Sequence, residues 1–382
     1  MVDALVIGGG PAGLMAAEAL ALAGRRVVLC EAKPSVGRKF LMAGKSGLNI
    51  TKNEPAIAFS GAFHAPWMDP ILRAFGPDHV RNWCRALGQE VFTGSSGRVF
   101  PVAMKASPLL RAWLLRLGQL GVEIRPRWRW TGLVGGAFGF DTPSGPQILS
   151  PRVTVLALGG ASWSRLGSDG AWVPWLRELG VGVAPFRPAN VGFAVDWSPH
   201  MARHLGQPVK GVALHAGGRT DRGEFVITAK GIEGGGIYAV SAALRDGAAL
   251  TVDLLPDVPS GRLAQRLAAL RPADSRSNHL RKLGLSPVAV ALAQEFGRDR
   301  LLADAVKSLT IRLQGPLALD EAISVAGGIT ADSLRPTLEL KAMPGVFACG
   351  EMLDWEAPTG GYLLTGCLAT GLWAGRAAAQ GQ

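Results

Sequence analysis

Four cysteines, two tyrosines and six histidines are all that the 382 residues hold of these types. Cys30, Cys84, Cys349 and Cys367 show no CxxC spacing. That excludes a disulfide reductase, a zinc ribbon and an iron–sulfur cluster, and it fits a reducing cytoplasm. The histidines fall at no metal-binding interval, so no metal site is expected. Acids are scarce too, 29 against 40 lysines and arginines, for a formal charge of +11. Such an excess needs an outlet: an anionic cofactor, a nucleic acid or an acidic partner. Long runs of large apolar residues are also missing. The uncharged stretch between Glu356 and Arg376 approaches membrane-spanning length, but glycines and threonines interrupt it, and no span is expected. No basic leader precedes the apolar run at 4–7, so a cytoplasmic protein is expected.

What is present suits a well-cored globule, with 48% hydrophobic and 18% charged residues. The length allows two domains, or one interrupted by another. The first thirty residues read strand, glycine turn, helix, strand: an apolar run at 4–7, an Ala- and Leu-rich helix at 12–23, and a second strand ending at Glu31. Helices are predicted over 68–90 and 105–120, short antiparallel strands over 122–133 and 137–142, and a buried strand at 153–158. From about Pro188 strand-like pieces alternate with turns, and an arginine-rich helical region follows from Ser260 to about Leu313. Strands followed by helices, without strand–helix alternation, suggest an α+β unit at 189–319 inserted between 1–188 and 320–382.

Gly8-x-Gly10-x-x-Gly13 stands between that first strand and helix. The first glycine permits the tight turn, the second lets backbone approach a pyrophosphate, and the third lets helix pack on strand. Pro11 and Ala12 open the helix, whose N-terminal N–H groups favour phosphate. Glu31, at the end of the second strand, suits hydrogen bonding to ribose hydroxyls. FAD and NAD share this fingerprint, so the far end of the chain must decide between them.

Gly345-Val346-Phe347-Ala348-Cys349-Gly350-Glu351 resembles the third FAD motif of glutathione-reductase-type flavoproteins, whose acid holds the ribityl chain. Leu156-Ala157-Leu158-Gly159-Gly160 resembles an intermediate strand end of the same superfamily. Pro358-Thr359-Gly360-Gly361-Tyr362 opens the last helix, and a helix N-terminus near the flavin pyrimidine would stabilise negative charge. Three motifs in this order point to FAD. More narrowly, Gly37-Arg38-Lys39 with the loop from Ala43 to Thr51 resembles the cofactor loop of the BaiN-like flavoproteins, "GRK…SGxGRCNxTN". Ala326-Gly327-Gly328-Ile329, the turn at Gly231–Gly234 and the ending Gly350, Glu351, Asp354, Thr359–Tyr362 match that family in order. The family's Arg-Cys before the asparagine is missing, since Leu48 directly precedes Asn49, so no role resting on that cysteine carries over.

The resemblance implies an α/β fold, a Rossmann-like FAD domain of glutathione-reductase type with the α+β insert. It places Arg38, Lys39, Gly44, Asn49, Gly361 and Tyr362 at the cofactor, with Trp130 near the adenine. Lys45, Tyr362, Glu356 and Asp354 are the candidate groups for proton chemistry. No second GxGxxG with strand and acid is present, so NAD(P)H as electron donor would visit the flavin without a nucleotide-binding domain of its own. Arg127-Trp128-Arg129-Trp130 is either a strand with tryptophans in the core or a base-stacking surface. Arg262, Arg266, Arg271, Arg276, His279, Arg281 and Lys282, with Asp274 as the acid among them, form either a solvated basic face or a polyanion surface. The function expected is NAD(P)H-linked reduction of an activated C=C bond, uridine in structured RNA being one form of substrate. Oxidation of a small amine or hydroxy compound, and a flavin-binding scaffold with little turnover, are the alternatives.

Overall fold

Ala4, Leu5 and Val6 are a continuous apolar run that can pack on both faces, as a central strand of a parallel sheet must. In a computed structural model, which describes residues 2–44 and 47–381, they lie fully buried in the strand Val2–Ile7. Val27–Glu31 and Pro151–Leu156 flank it, both parallel. Val346–Ala348 pairs beyond Pro151–Leu156, and Glu123–Pro126 beyond Val27–Glu31, making a five-stranded parallel sheet. The first helix, Pro11–Leu22, packs against the last, Tyr362–Gln380. The approach is close because two glycines on the last helix face the first: a Cβ on Gly371 would lie 2.3 Å from the Ala12 carbonyl oxygen, and one on Gly375 would lie 2.7 Å from that of Ala16. This contact brings the C-terminal motifs to the N-terminal glycine turn.

The expected α/β class is therefore what the chain adopts, with three local corrections. The run at 122–133 is not an antiparallel meander. Its first piece, Glu123–Pro126, joins the parallel sheet, and the chain then turns at Arg127, whose φ of 59° ends the strand. Arg129–Val134 pairs antiparallel with Ala137–Asp141 in a separate sheet. The helix expected at 68–90 is two, Asp69–Ala74 and Pro77–Ala86, divided at Phe75 and Gly76 because Pro77 cannot continue a helix. The arginine-rich helical region ends at Lys307, and Leu309–Ile311 returns as an edge strand.

The chain divides into two compact units, Met1–Arg187 with Ser324–Gln382, and Pro188–Ile323. The second is built on a seven-stranded sheet whose named pairings are all antiparallel. It has its own core around Phe193, Leu214, Phe225 and Ile232. Its helices are Gly235–Arg245, Ser260–Ala268, Arg276–Lys282, Pro287–Gly297 and Leu302–Lys307. Among the described residues no helix is long and apolar enough to cross a membrane.

Candidate functional site

A groove runs over the C-terminal ends of the parallel strands, where ligands bind in open α/β sheets. The four glycines of its turn do different work. Gly8, at φ +108°, could carry no side chain, since a Cβ would lie 2.2 Å from the Ala157 carbonyl oxygen. A Cβ on Gly13 would lie 1.9 Å from the Gly8 carbonyl, and one on Gly9 would meet Val36 and Glu31. Gly10 differs: nothing stands within 4 Å of its missing Cβ, and its φ of −80° is open to any residue. Its bareness serves no contact within the protein and leaves backbone exposed to the groove. Pro11 opens the first helix, and no side chain caps that helix's N–H groups.

Glu31 closes one end of the turn. Its Oε2 accepts the Gly9 N–H at 2.8 Å and its Oε1 accepts the Lys33 N–H at 2.7 Å. Burial pushes its pKa above the ordinary 4.5, opposed by those two N–H donors and by the charges of Lys33 and Arg38. Among the described residues, three polar atoms lining the groove are buried with no partner: Arg38 Nε, Trp130 Nε1 and Ser168 Oγ. Orphans of this kind are rare in native proteins, and three around one groove await a polar ligand. A dinucleotide, with its pyrophosphate and hydroxyls, fits this set.

Of the other motif residues, Lys39, Gly159, Gly350 and Glu351 line the same groove, whereas Gly160 does not. Gly159, at φ +73°, gives its carbonyl to Trp172 Nε1 at 2.9 Å. Gly160 is tight against Val325, 2.3 Å from where its Cβ would be. A Cβ on Gly350 would lie 2.7 Å from that of Ala12, so the bare position seats the third motif on the first helix. Lys39, placed at the cofactor by the resemblance, lines the groove, where it pairs with Glu351 Oε2 at 2.8 Å and bonds Ser162 Oγ at 2.9 Å. Arg38 is left as the cation with an unused N–H there. Cys30, Cys349 and Cys367 border the groove, but burial drives their thiols up, that of Cys30 to about 12, so none is a thiolate near neutrality.

The C-terminal turn holds residues that the sequence could not group. Tyr362 donates its hydroxyl to Glu54 Oε1 at 2.5 Å and accepts from Lys52 Nζ at 3.0 Å, and Lys52 and Glu54 form an ion pair at 3.0 Å. The Tyr362 ring stacks on Phe59, centroids 4.8 Å apart. Burial and the Glu54 charge raise the Tyr362 pKa above 10, so the hydroxyl stays protonated. Burial also works against the Lys52 charge, but its bonds to Tyr362 and Glu54 outweigh that and raise its pKa. Lys52 and Glu54 were missed; their only sequence signal is that they follow the glycine loop.

Tyr362, Lys52 and Glu54 are not among the residues that line the groove, and other expected residues lie away from it too. A side chain on Gly361 (φ +97°) would meet the Thr51 backbone at 2.5 Å, so the protein's own chain accounts for this glycine. A Cβ on Gly44 would meet that of Ala106 at 2.6 Å, which makes it a packing glycine against the helix Ala106–Gln119. Asn49 carries a further orphaned atom, Oδ1, but does not line the groove. Lys45 lies outside the described residues. Glu356 Oε2 faces His64 Nδ1 at 4.0 Å. Asp354 accepts the Gly327 N–H at 3.1 Å, and burial raises its pKa. Trp128 and Trp130 line the groove rather than a stacking surface, with Arg125 over Trp128 at 4.7 Å and Arg129 paired to Asp169. In the basic run, Arg262, Arg266 and Arg271 are exposed, while Arg276 bonds the carbonyls of Gly297 and Arg300. Arg281 bonds Asn278 and Lys282 pairs with Asp274, so only part of the run is free charge.

Known proteins agree with this architecture. The family model of the HI0933-like protein Rossmann domain matches residues 2–377. The chain is 29% identical to a 3-dehydro-bile acid delta(4,6)-reductase of Clostridium scindens, over 98% of each chain. It is 24% identical to the ribosomal RNA dihydrouridine synthase of Escherichia coli, over 94% of each. A 3-ketosteroid delta1-dehydrogenase from Sterolibacterium denitrificans shares the fold, with a TM-score of 0.55 and 12% identity over 100% of this chain and 99% of that one. The chain is an FAD-dependent oxidoreductase and belongs to the HI0933-like family.

Proposed function

We propose that the protein reduces a C=C bond conjugated to a carbonyl, with NAD(P)H as the electron donor. FAD, when bound, supplies the hydride chemistry that such a reduction needs. The chain's own residues hold it. The Gly10 backbone and the N–H groups of the first helix would meet its pyrophosphate, Arg38 would add positive charge, Glu31 would bond the ribose, and Trp130 would border the adenine. Lys39 fixes the orientation of Glu351.

The observation that carries the reading is the Tyr362 hydroxyl between Lys52 and Glu54. Saturating an enone adds hydride at the β-carbon and a proton at the α-carbon. A tyrosine kept neutral by burial can give that proton, and Lys52, bonded to the same oxygen, stabilises the tyrosinate and returns a proton to it. The names of the two curated relatives support this class of reaction, since each describes loss of a C=C bond from a carbonyl-conjugated ring.

The test is anaerobic. NADH or NADPH is mixed with FAD-loaded protein while flavin absorbance is followed, and a Δ4-3-ketosteroid is then added. Bleaching by one nicotinamide and recovery with the enone are expected. Absence of bleaching by both, with bleaching by a small amine or hydroxy compound, overturns the reading in favour of an oxidase.

Uridine in structured RNA is one form of the same substrate, its C5=C6 bond being conjugated to the C4 carbonyl. The exposed Arg262, Arg266 and Arg271 support it, because a base leaving its stack needs its flanking phosphates held. Unchanged dihydrouridine in the RNA of a deletion strain would remove this form.

A further inference from the structure

The unit Pro188–Ile323 contains a cleft of about 650 Å3, the size of a small-molecule site. Its walls are the helical turn Pro199–His204 and the helices Arg276–Lys282 and Pro287–Gly297. The floor is apolar, with Met201 and Val290 buried beside Pro287 and Ala291. The rim is basic: Arg203, Arg281, Arg298 and His200 all line it and are exposed. Among the described residues none of these arginines has a carboxylate at ion-pair distance, and Arg281 bonds the neutral Asn278 at 2.9 Å.

Two carboxylates reach the cleft. Glu295 is engaged at both oxygens, accepting the Ser198 N–H at 2.7 Å and the Ser198 hydroxyl at 2.6 Å. Asp299, next to Arg298, is exposed. Behind the rim, Arg276 places its guanidinium on the carbonyls of Gly297 and Arg300, at 2.7 and 2.9 Å. The cleft therefore pairs an apolar floor with guanidinium groups brought from three separate elements.

We propose that this cleft binds a nucleoside phosphate, with the phosphate on Arg203, Arg281 and Arg298 and the flat base over the accessible Pro287 and Ala291, which Met201 and Val290 back from within the core. Guanidinium forks match phosphate oxygens, and three of them outnumber the two carboxylates, Glu295 and Asp299, that reach the cleft. An inorganic ion would leave Pro287 and Ala291 uncovered, whereas a purely apolar ligand would leave the excess of guanidinium over carboxylate at its edge unanswered. The inference goes beyond the reduction reading and stands independently of it. A free nucleotide and a nucleotide within a strand present the same chemistry.

Calorimetric titration of FAD-saturated protein with AMP, adenosine and a uridylate hexamer tests it. Saturation with FAD keeps the dinucleotide groove from taking the probes. AMP or the hexamer should bind, with adenosine at least tenfold weaker than AMP. Arg203→Ala with Arg298→Ala should weaken the bound probe at least tenfold without changing the melting temperature, since both side chains are exposed. Arg203→Lys with Arg298→Lys should recover part of that loss. Binding of AMP assigns the site to free nucleotides, and binding of the hexamer alone assigns it to a strand. The proposal is overturned if neither phosphate probe binds, if adenosine binds as well as AMP, or if the double alanine variant binds undiminished.

Discussion

Tyr362 and Glu54 stand 308 residues apart in sequence, yet the tyrosine hydroxyl donates to the carboxylate at 2.5 Å. Lys52 touches both, so a neutral hydroxyl, a cation and an anion share one hydrogen-bonded cluster at the start of the last helix.

Tyr362→Phe follows from this. The ring keeps its stack on Phe59, so fold and FAD content should be retained. Losing a general acid should lower the rate of enone reduction by about 10²-fold or more. Flavin bleaching by NAD(P)H, which needs no such proton, should be unchanged. Stopped-flow traces of the two half-reactions check this. In the wild type the raised Tyr362 pKa keeps the hydroxyl protonated past pH 10, so no loss of rate through this group is expected below that value.

The glycine turn gives a sharper contrast. Gly10→Ala should leave apoprotein stability within about 0.5 kcal/mol, because the added Cβ meets nothing. It should nonetheless weaken FAD by roughly tenfold or more, about 1.4 kcal/mol, by filling the space into which the pyrophosphate must come. Gly8→Ala and Gly13→Ala should each cost on the order of 3 kcal/mol in the apoprotein itself, since their Cβ atoms strike backbone. Thermal unfolding without FAD, then FAD titration, separates the two classes. Equal effects of all three substitutions on the apoprotein would show that Gly10 is a packing glycine too.

Gly361→Ala tests the correction at the last helix. Its φ of +97° and the nearby Thr51 backbone predict a loss of roughly 1–3 kcal/mol whether or not FAD is present. A melting temperature lowered only in the FAD-loaded protein would return this glycine to the cofactor.

The parts of the site that were legible in the sequence are those carried by contiguous residues. Gly8 to Gly13, flanked by a strand and a helix and followed by Glu31, dictates its own geometry within thirty residues. The third motif at Gly350 could be recognised but not located, because its place depends on Gly371 and Gly375 letting two helices touch. The cluster of Lys52, Glu54 and Tyr362 has no local pattern at all. The alternation of Arg127 to Trp130 predicted one strand, but Arg127 turns left-handed after its N–H bonds the Lys33 carbonyl, and Arg129 begins a new strand. The basic run at 262–282 was visible as composition. Composition could not tell that Arg276 and Lys282 are engaged, or that Arg281 shares a cleft with Arg203 and Arg298.

Glu31 offers the last prediction, and its sign differs for ligand and fold. Both oxygens already accept backbone N–H groups, leaving the remaining lone pairs for ribose hydroxyls. Glu31→Gln substitutes an N–H2 for one oxygen, so one acceptor is lost and that amide faces the N–H of Gly9 or Lys33. The FAD dissociation constant should rise by a free energy of roughly 1–3 kcal/mol. Protonation does much the same to the wild type. Because burial raises the Glu31 pKa above 4.5, FAD affinity should fall on acidification at a higher pH than an ordinary glutamate would give. For the apoprotein the direction reverses. The folded chain favours the protonated form, so the contribution of Glu31 to stability is complete below pH 4.5 and is lost as pH rises through its folded value. Fluorescence titration of FAD from pH 4.5 to 8, with wild type and Glu31→Gln side by side, reads the first effect. If the two proteins show the same pH dependence of FAD affinity, the titrating group is not Glu31 and the ribose contact assigned to it is wrong.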